Sequence, residues 1–211
     1  TLGDAFEAGA EPEQVMVWMQ QVARALGYAH ARGIVHRDLK PANVLIRSGD
    51  SQPVVTDLGL GRNVDLASSL TKTGASLGTP AYMPPEQITG KEATPSADVF
   101  ALGVMLYEGL TGTLPFRAPN IALRFAMIQG QTLEPATTLN PAIDPRLDQV
   151  IARALAPKPS DRYSDGDAFA EAIQEVLSSE PPAPSSGRKT RHLAILGTTL
   201  LGVGAVFTIF A

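Results

Sequence analysis

The sequence contains no cysteine, has only three histidines and carries no excess of positive charge. Without cysteine, disulfide bonds and thiolate metal sites are excluded. The histidines stand at positions 30, 36 and 192, a spacing that fits no metal-ligand pattern. The formal net charge of −4 argues against nucleic acid as a partner, because proteins that bind it usually present a strongly basic face. The composition therefore favours neither a disulfide scaffold, nor a zinc site, nor a nucleic-acid binder.

Aromatic residues are scarce, at 6%, but a hydrophobic fraction of 44% and a charged fraction of 18% are typical of a globular chain. At 211 residues the chain can bury one good core, with a small appendage at most. It begins with Thr1 rather than Met, and no signal-peptide pattern follows. We therefore expect it to be a piece of a longer protein.

Apolar periodicity predicts a long helix in the first part of the chain. Residues 11–32 place apolar side chains at three- and four-residue steps, Pro12 suits a first turn, and Gly33 ends the pattern. Two short strands are predicted next, Val44–Ile46 and Val54–Thr56, with a polar turn between them. The sequence of the first third of the domain therefore predicts a helix followed by a small hairpin.

The second half of the domain predicts helices only. Thr94 and Pro95 fit the N-cap and first position of a helix that is apolar on most faces, so we expect it at the centre of the core. The last helix of the domain is predicted to open with Ser164 and Asp167 as a capping pair. This last helix is predicted over 165–178, and two others are predicted near 119–129 and 146–156.

The composition changes sharply after the domain. Residues 179–192 are Pro/Ser-rich and then basic, which is typical of a linker. Residues 193–211 carry no charge, and about 20 apolar residues suffice to cross a bilayer. A buried helix is the alternative, but this segment lacks the polar stripe of a core helix. Since Arg188, Lys189 and Arg191 directly precede it, we expect a single-pass cell-membrane protein with the preceding residues in the cytoplasm.

One short loop combines charges with apolar flanks. Asp38, Lys40 and Asn43 stand within six residues between two apolar runs, and Asp57 follows the next apolar strand. A carboxylate can accept a hydroxyl proton, an ammonium can steady a phosphate, and amide and carboxylate oxygens suit Mg²⁺. The alternative is a salt-bridged turn in which Arg37 neutralises Asp38. Each short motif taken alone favours the salt-bridged turn.

The order of the motifs adds a resemblance. "HRDLKPAN", then "DLG", then "MPPE" resembles the eukaryotic-type protein kinases, in the form of the bacterial membrane-anchored Ser/Thr kinases. The likeness covers residues 1–178 and implies an α+β, mostly helical fold: the large (C-terminal) lobe of a kinase without its N-lobe, followed by one transmembrane helix. It makes His36 and Arg37 structural supports of the loop. The "DLKPAN" form implies serine/threonine specificity.

The resemblance also implies roles within the site. Asp38 is the catalytic base that orients the substrate hydroxyl, and Lys40 contacts the γ-phosphate of ATP. Asn43 and Asp57 hold two Mg²⁺ ions, with Mn²⁺ as an alternative. Leu45 forms the floor beneath the adenine. The implied cofactors are therefore ATP and a divalent cation.

Four further positions match the family. Thr79 in "GTPAYMPPE" resembles the threonine that bonds the catalytic Asp and Lys and shapes the substrate site. Glu86 is expected to pair with Arg162, although both could be unpaired surface charges. Asp98 resembles the residue that braces the backbone of the catalytic loop. The resemblance thus predicts contacts between distant parts of the chain.

The segment between Asp57 and Glu86 contains two spaced threonines, Thr71 and Thr73. The resemblance implies that they are autophosphorylated and dock against Arg37, because a phosphate adds almost two negative charges. The alternative is a solvated Ser/Thr-rich loop. We expect alanine at both threonines to lower the activity of the full-length enzyme, and unchanged turnover would contradict that expectation.

The sequence also departs from the family. Leu58 replaces phenylalanine in "DLG", and Pro84 replaces alanine in "PPE". More seriously, it contains no glycine-rich loop, strand lysine or helix glutamate for the nucleotide phosphates. We expect that the N-lobe has been cut off, that these 211 residues alone are inactive, and that the parent protein is a working kinase.

Two other functions are weighed against the kinase. A pseudokinase that only binds partners usually loses the catalytic Asp or the metal ligands, and Asp38, Asn43 and Asp57 are all present. A membrane-tethered scaffold or receptor would act through a domain beyond Ala211. The expected partners are proteins bearing Ser or Thr and the membrane, with a homodimer for phosphorylation in trans.

Overall fold

A computed structural model describes residues 1–58 and 79–179 of the chain. The chain divides into two compact units, Thr1–Pro181 and Pro182–Ala211, and every described residue belongs to the first. The predicted phosphorylation sites Thr71 and Thr73, the linker 179–192 beyond its first residue and the predicted span 193–211 lie outside the described residues. None of the described helices has the length and hydropathy to cross a bilayer.

The described residues form a mostly helical domain with one small hairpin. Its helices are α1 (Leu2–Glu7), α2 (Pro12–His30), α3 (Pro85–Ile88), α4 (Pro95–Thr111), α5 (Ile121–Gln129), α6 (Ala136–Leu139), α7 (Arg146–Ala154) and α8 (Gly166–Ser178). Short 3₁₀ turns cover Pro41–Asn43, Thr79–Tyr82 and Pro159–Asp161.

Helix α4 is the centre of the core, as its composition predicts. Every residue from Ser96 to Tyr107 is buried, because α2, α7 and α8 pack around it. Thr94 is its N-cap and Pro95 its first residue, although the Thr94 hydroxyl bonds Ser96 rather than the helix backbone. Gly112 ends the helix in the left-handed conformation, at φ 69°, that glycine adopts without strain.

Helices α2 and α8 cross with their backbones almost touching. A side chain at Gly166 would place its Cβ 2.3 Å from the carbonyl oxygen of Ala23 and 2.6 Å from the nitrogen of Gly27. Only glycine fits at this crossing. The contact brings the beginning of α8 against the end of α2, directly beside the loop that follows α2.

The hairpin consists of β1 (Val44–Ile46) and β2 (Pro53–Val55), which pair antiparallel with Leu45 opposite Val54. Its turn is tied to α2, because the indole nitrogen of Trp18 donates to the carbonyl of Ser51 at 2.9 Å. The hairpin therefore holds the residues at its open end, Asn43 and Thr56, in a fixed register.

Several predicted boundaries need correction. The second strand lies one residue earlier than predicted. The helix predicted over 11–32 is three residues shorter, and those predicted over 119–129 and 146–156 are each two residues shorter. The capping pair of Ser164 and Asp167 was wrong. Asp165 is the N-cap of α8, and its carboxylate accepts from the backbone N–H of Ala168 at 2.9 Å. The short helices α1, α3 and α6 were not predicted.

Candidate active site

The loop between α2 and β1 is held by one buried carboxylate. Asp98, near the start of α4, accepts the backbone N–H of His36 at 2.8 Å and that of Arg37 at 2.9 Å. Arg37 has a left-handed backbone, with φ 71°, which is unfavourable for a residue with a side chain. The Gln87 side chain adds a bond to the Arg37 carbonyl at 2.9 Å. These bonds fix the backbone immediately before Asp38.

Two buried histidines extend this support. His36 bonds the Thr56 carbonyl through Nε2 at 2.9 Å, so Nε2 carries its proton and the loop is tied to the end of β2. His30 bonds Asp98 Oδ2 through Nε2 at 2.9 Å, while its Nδ1 accepts from the Gly166 N–H at 3.1 Å. An N–H directed at Nδ1 requires the tautomer protonated on Nε2. His30 thus connects α8 to the loop.

Three of the predicted catalytic side chains meet within this loop. Lys40 Nζ lies 2.8 Å from Asp38 Oδ2, and Asn43 Nδ2 donates to the Asp38 carbonyl at 2.8 Å. Lys40, rather than Arg37, is the described residue that forms an ion pair with Asp38. Asp38 keeps 40% of its side-chain surface exposed. Its carboxylate is therefore both anchored and accessible.

Asp57 is brought to the same end of the hairpin by strand pairing. The Asn43 carbonyl accepts from both the backbone N–H and the hydroxyl of Thr56, at 2.9 and 3.1 Å. Asp57 follows directly, exposed and left-handed, with φ 59°. Asn43 takes part in this contact and Asp57 follows it directly in the chain, so both residues lie at the open end of the hairpin.

This donor set suits a hard divalent cation. The Asn43 Nδ2 is committed to Asp38, so its Oδ1 is the atom available to a ligand, and Asp57 offers a carboxylate. Mg²⁺ commonly takes one or two protein oxygens and completes its shell with phosphate and water. Within residues 1–58 and 79–179 no group of three or more acidic or histidine side chains could hold a metal by itself. The residues present therefore fit a metal that arrives with a phosphate ligand.

Apolar side chains are exposed next to these polar groups. Leu45 is 46% exposed and Val54, its cross-strand partner, is 43% exposed. Directly paired strand residues present their side chains on the same face of a hairpin. This face is compatible with a flat apolar ligand on Leu45.

The predicted pair of Glu86 and Arg162 is present. Two guanidinium nitrogens bond the two carboxylate oxygens at 2.6 and 2.9 Å, in a buried bidentate contact between α3 and the loop before α8. Arg162 also donates to the carbonyls of Ala156, Pro157 and Ser96. The pair fixes α3, which carries Gln87 to the catalytic loop.

A cleft opens beside Lys40. It is lined by Lys40, Ala81 and Tyr82, and by the carboxyl groups of Glu7 and Glu108. The Tyr82 hydroxyl donates to Glu108 at 2.8 Å. Burial is the main cause of a raised pKa at Glu108, and the nearby Glu7 raises it further, while the Tyr82 bond acts in the opposite direction. The rest of its lining is mainly apolar or small, and the cleft adjoins the ion pair of Asp38 and Lys40.

Sequence reasoning missed His30, Gln87, Tyr82 and Glu108. A single histidine on an apolar helix face carries no pattern that separates a core residue from a functional one. Thr79 begins a 3₁₀ turn two residues before Ala81, and the position of its side chain is not among the described features.

Comparison with known proteins agrees with this geometry. A family model described as "Protein kinase domain" matches residues 5–179. The chain belongs to the protein kinase family. Since the matched range contains the loop, the hairpin and the pair of Glu86 and Arg162, the family resemblance and the geometry concern the same residues.

The similar proteins are bacterial Ser/Thr kinases by name. Serine/threonine-protein kinase Pkn1 of Myxococcus xanthus is 42% identical over 200 residues, which is 92% of this chain and 28% of the relative. PknA of Mycobacterium tuberculosis is 42% identical over 86% of this chain and 42% of the relative. PknL of the same organism is 37% identical over 87% of this chain and 47% of the relative. The chain spans less than half the length of these curated relatives.

Proposed function

We propose that the protein transfers the γ-phosphate of ATP to serine or threonine side chains of other proteins. The observation that carries the proposal is the convergence of Asp38, Lys40 and Asn43 in one braced loop, with Asp57 at the adjoining end of the hairpin. The family match and the names of the relatives support the same reaction class.

Each side chain has a role in this proposal. The Asp38 carboxylate accepts the hydroxyl proton of the substrate, and Lys40, held 2.8 Å away, places a positive charge beside the transferred phosphate. Asn43 Oδ1 and the Asp57 carboxylate hold Mg²⁺. Bound Mg²⁺ would supply neutralisation of the phosphate charge. Leu45 supports the adenine.

The substrate is proposed to be a protein segment, because the relatives are named protein kinases and an open cleft adjoins Lys40. The serine/threonine preference rests on the names of the relatives and on the "DLKPAN" form of the loop.

Membrane attachment is part of the proposal. The uncharged segment 193–211 and the basic residues before it support a single span with the kinase portion on the cytoplasmic side. A homodimer for phosphorylation in trans belongs to the same proposal.

We also propose that these 211 residues do not catalyse transfer alone. Their sequence contains no glycine-rich loop or strand lysine for the nucleotide phosphates, so the hairpin and catalytic loop supply only one side of a cleft. The remaining parts are expected in the protein encoded by the full reading frame.

The test is a transfer assay with radiolabelled ATP, Mg²⁺ and a general protein substrate, followed by phosphoamino-acid analysis. The protein from the full reading frame is expected to give phosphoserine or phosphothreonine, and the 211-residue chain no signal. Nucleotide binding without transfer would instead favour a pseudokinase. Phosphotyrosine as the main product would contradict the serine/threonine assignment.

A further inference from the structure

Arg124 is a buried cation whose contacts are unusual. It lies on α5, only 5% exposed, and within the described ranges no carboxylate forms an ion pair with it. Its guanidinium donates to two backbone carbonyls, that of Met83 at 2.7 Å and that of Ala81 at 2.5 Å. Its Nε is buried without a described partner.

Hydrophobic packing does not explain this residue. Burial lowers the pKa of Arg124 to about 10, so the side chain is still charged at neutral pH. A buried charge without a counter-charge is costly, and carbonyl dipoles compensate it only in part. The guanidinium carbon lies 5.9 Å from the centre of the Phe100 ring, a cation–π contact that also offsets part of the cost. The two carbonyl bonds are what an apolar residue could not supply.

The bonded carbonyls belong to a wall of the candidate site. Ala81 and Tyr82 line the cleft beside Lys40, and Met83 lines a small cavity together with Asp38. The planar guanidinium donates hydrogen bonds to the backbone on both sides of Tyr82. Because its N–H groups have a fixed geometry, these bonds set the orientation of this backbone as well as its position. The position of this wall relative to Asp38 therefore depends on Arg124.

We infer that Arg124 is a positioning residue for protein-substrate binding, holding the backbone of residues 81–83 in place beside Asp38 and Lys40. This inference rests on the proposed kinase function. It assigns no contact between Arg124 and substrate. The arginine acts through the two carbonyls of the cleft wall.

The test compares Arg124→Met, which keeps the length of the side chain without its donors, with Arg124→Lys, which can bond one carbonyl at a time. Arg117→Met is the matched control, since Arg117 is exposed in the segment before α5. Steady-state kinetics use the protein from the full reading frame. Hydrogen exchange and thermal unfolding use the 211-residue chain.

We expect Arg124→Met to raise the KM for the protein substrate about ten-fold, with the KM for ATP unchanged, and Arg124→Lys to fall between it and wild type. Amide exchange in residues 81–88 should become faster while α8 is unaffected. The thermal midpoint should change little, because a costly buried charge is removed but two carbonyls lose their donor. Arg117→Met should behave as wild type.

An unchanged KM for the protein substrate in an active Arg124→Met enzyme would overturn the inference. Equal changes in the KM values for protein and ATP would also overturn it. So would a loss of global stability large enough to account for the rise in the substrate KM. If wild type transfers no phosphate, the proposed function fails separately. In that case unchanged exchange in residues 81–88 of Arg124→Met would overturn the anchoring role as well, and faster exchange would support it.

Discussion

At the scale of single residues, Asp98 has the widest influence on the site. Its two carboxylate oxygens accept from His36, Arg37 and His30, and its side chain is 1% exposed. A charge buried to this degree needs several donors to offset its lost hydration. The three bonds supply them and at the same time hold the left-handed backbone of Arg37. Stability and placement of the catalytic loop thus have the same source.

Glu108 gives a prediction in which pH is the variable. Its pKa is raised in the folded protein, chiefly by burial, so the folded state keeps the proton to higher pH than the unfolded chain does. The stability linked to this group is present below its unfolded pKa and is lost as pH rises through the folded one. Glu108→Gln cannot ionise, and its amide oxygen can still accept the Tyr82 hydroxyl. We therefore expect the variant to gain stability relative to wild type as pH rises from the ordinary glutamate pKa, about 4.3, towards neutral pH.

The measurement is denaturant unfolding of wild type and Glu108→Gln across that range. Glu175→Gln, an exposed change on α8, is the control for loss of one negative charge. The difference in unfolding free energy between Glu108→Gln and wild type should vary with pH, and the control should not show this variation. If the difference is constant, or if the control varies as much, burial of Glu108 does not perturb its ionisation.

At the scale of helices and strands, the sequence predicts those elements that are long enough to show a period. Helix α2 spans 19 residues and shows a clear apolar spacing, while α4, of 17 residues, is apolar on most faces and has Thr94 and Pro95 as its start signal. Helices α3 and α6 have four residues each and show no period. They form where neighbouring elements hold a single turn, as the Glu86 pair holds α3. Such helices depend on tertiary contacts that a local pattern does not contain.

The beginning of α8 shows a different limit. Ser164 and Asp165 are both good N-cap residues, and a pattern of residue types does not distinguish them. In the fold, Asp165 caps the helix and Ser164 donates its hydroxyl to Asp165 at 2.8 Å. The next residue must be glycine to approach α2, and this close contact fixes which residue becomes the cap. Packing therefore sets the boundary.

The N-cap residue Asp165 gives a prediction about stability. Asp165→Ala should lower the free energy of unfolding by about 1 kcal/mol, because the Ala168 N–H loses its acceptor. Asp165→Asn should keep most of the stability, since asparagine caps about as well as aspartate. Ser164→Ala should cost less than Asp165→Ala. Denaturant unfolding of the 211-residue chain measures all three.

The pH dependence of the same variants is a second check. The Ala168 bond is the main cause of a lowered pKa at Asp165. The stability that the Asp165 charge contributes is present above the unfolded carboxyl pKa and is lost as pH falls through the lowered pKa of the folded state. Any loss of stability in Asp165→Asn relative to wild type should therefore become smaller in acid. Equal losses in Asp165→Asn and Asp165→Ala at neutral pH would contradict the capping role.

At the scale of the whole molecule, the candidate catalytic residues were predictable because they lie in one ordered series of short motifs. Asp38, Lys40 and Asn43 belong to a single loop, and their proximity needs little knowledge of the fold. Arg124 was not predictable, since it lies 41 positions from Met83 and only the packing of α5 brings them together. The same holds for His30 and Gly166, which are 136 positions apart.

The most direct test of the kinase assignment is the turnover of Asp38→Asn in the protein from the full reading frame, with Asp161→Asn as an exposed control. Asparagine keeps the shape of the side chain but cannot accept the hydroxyl proton. We predict that kcat falls about 10²–10⁴-fold while the KM for ATP and the activity of the control stay close to wild type. Wild-type turnover in Asp38→Asn would contradict the role of Asp38 and the kinase mechanism built on it.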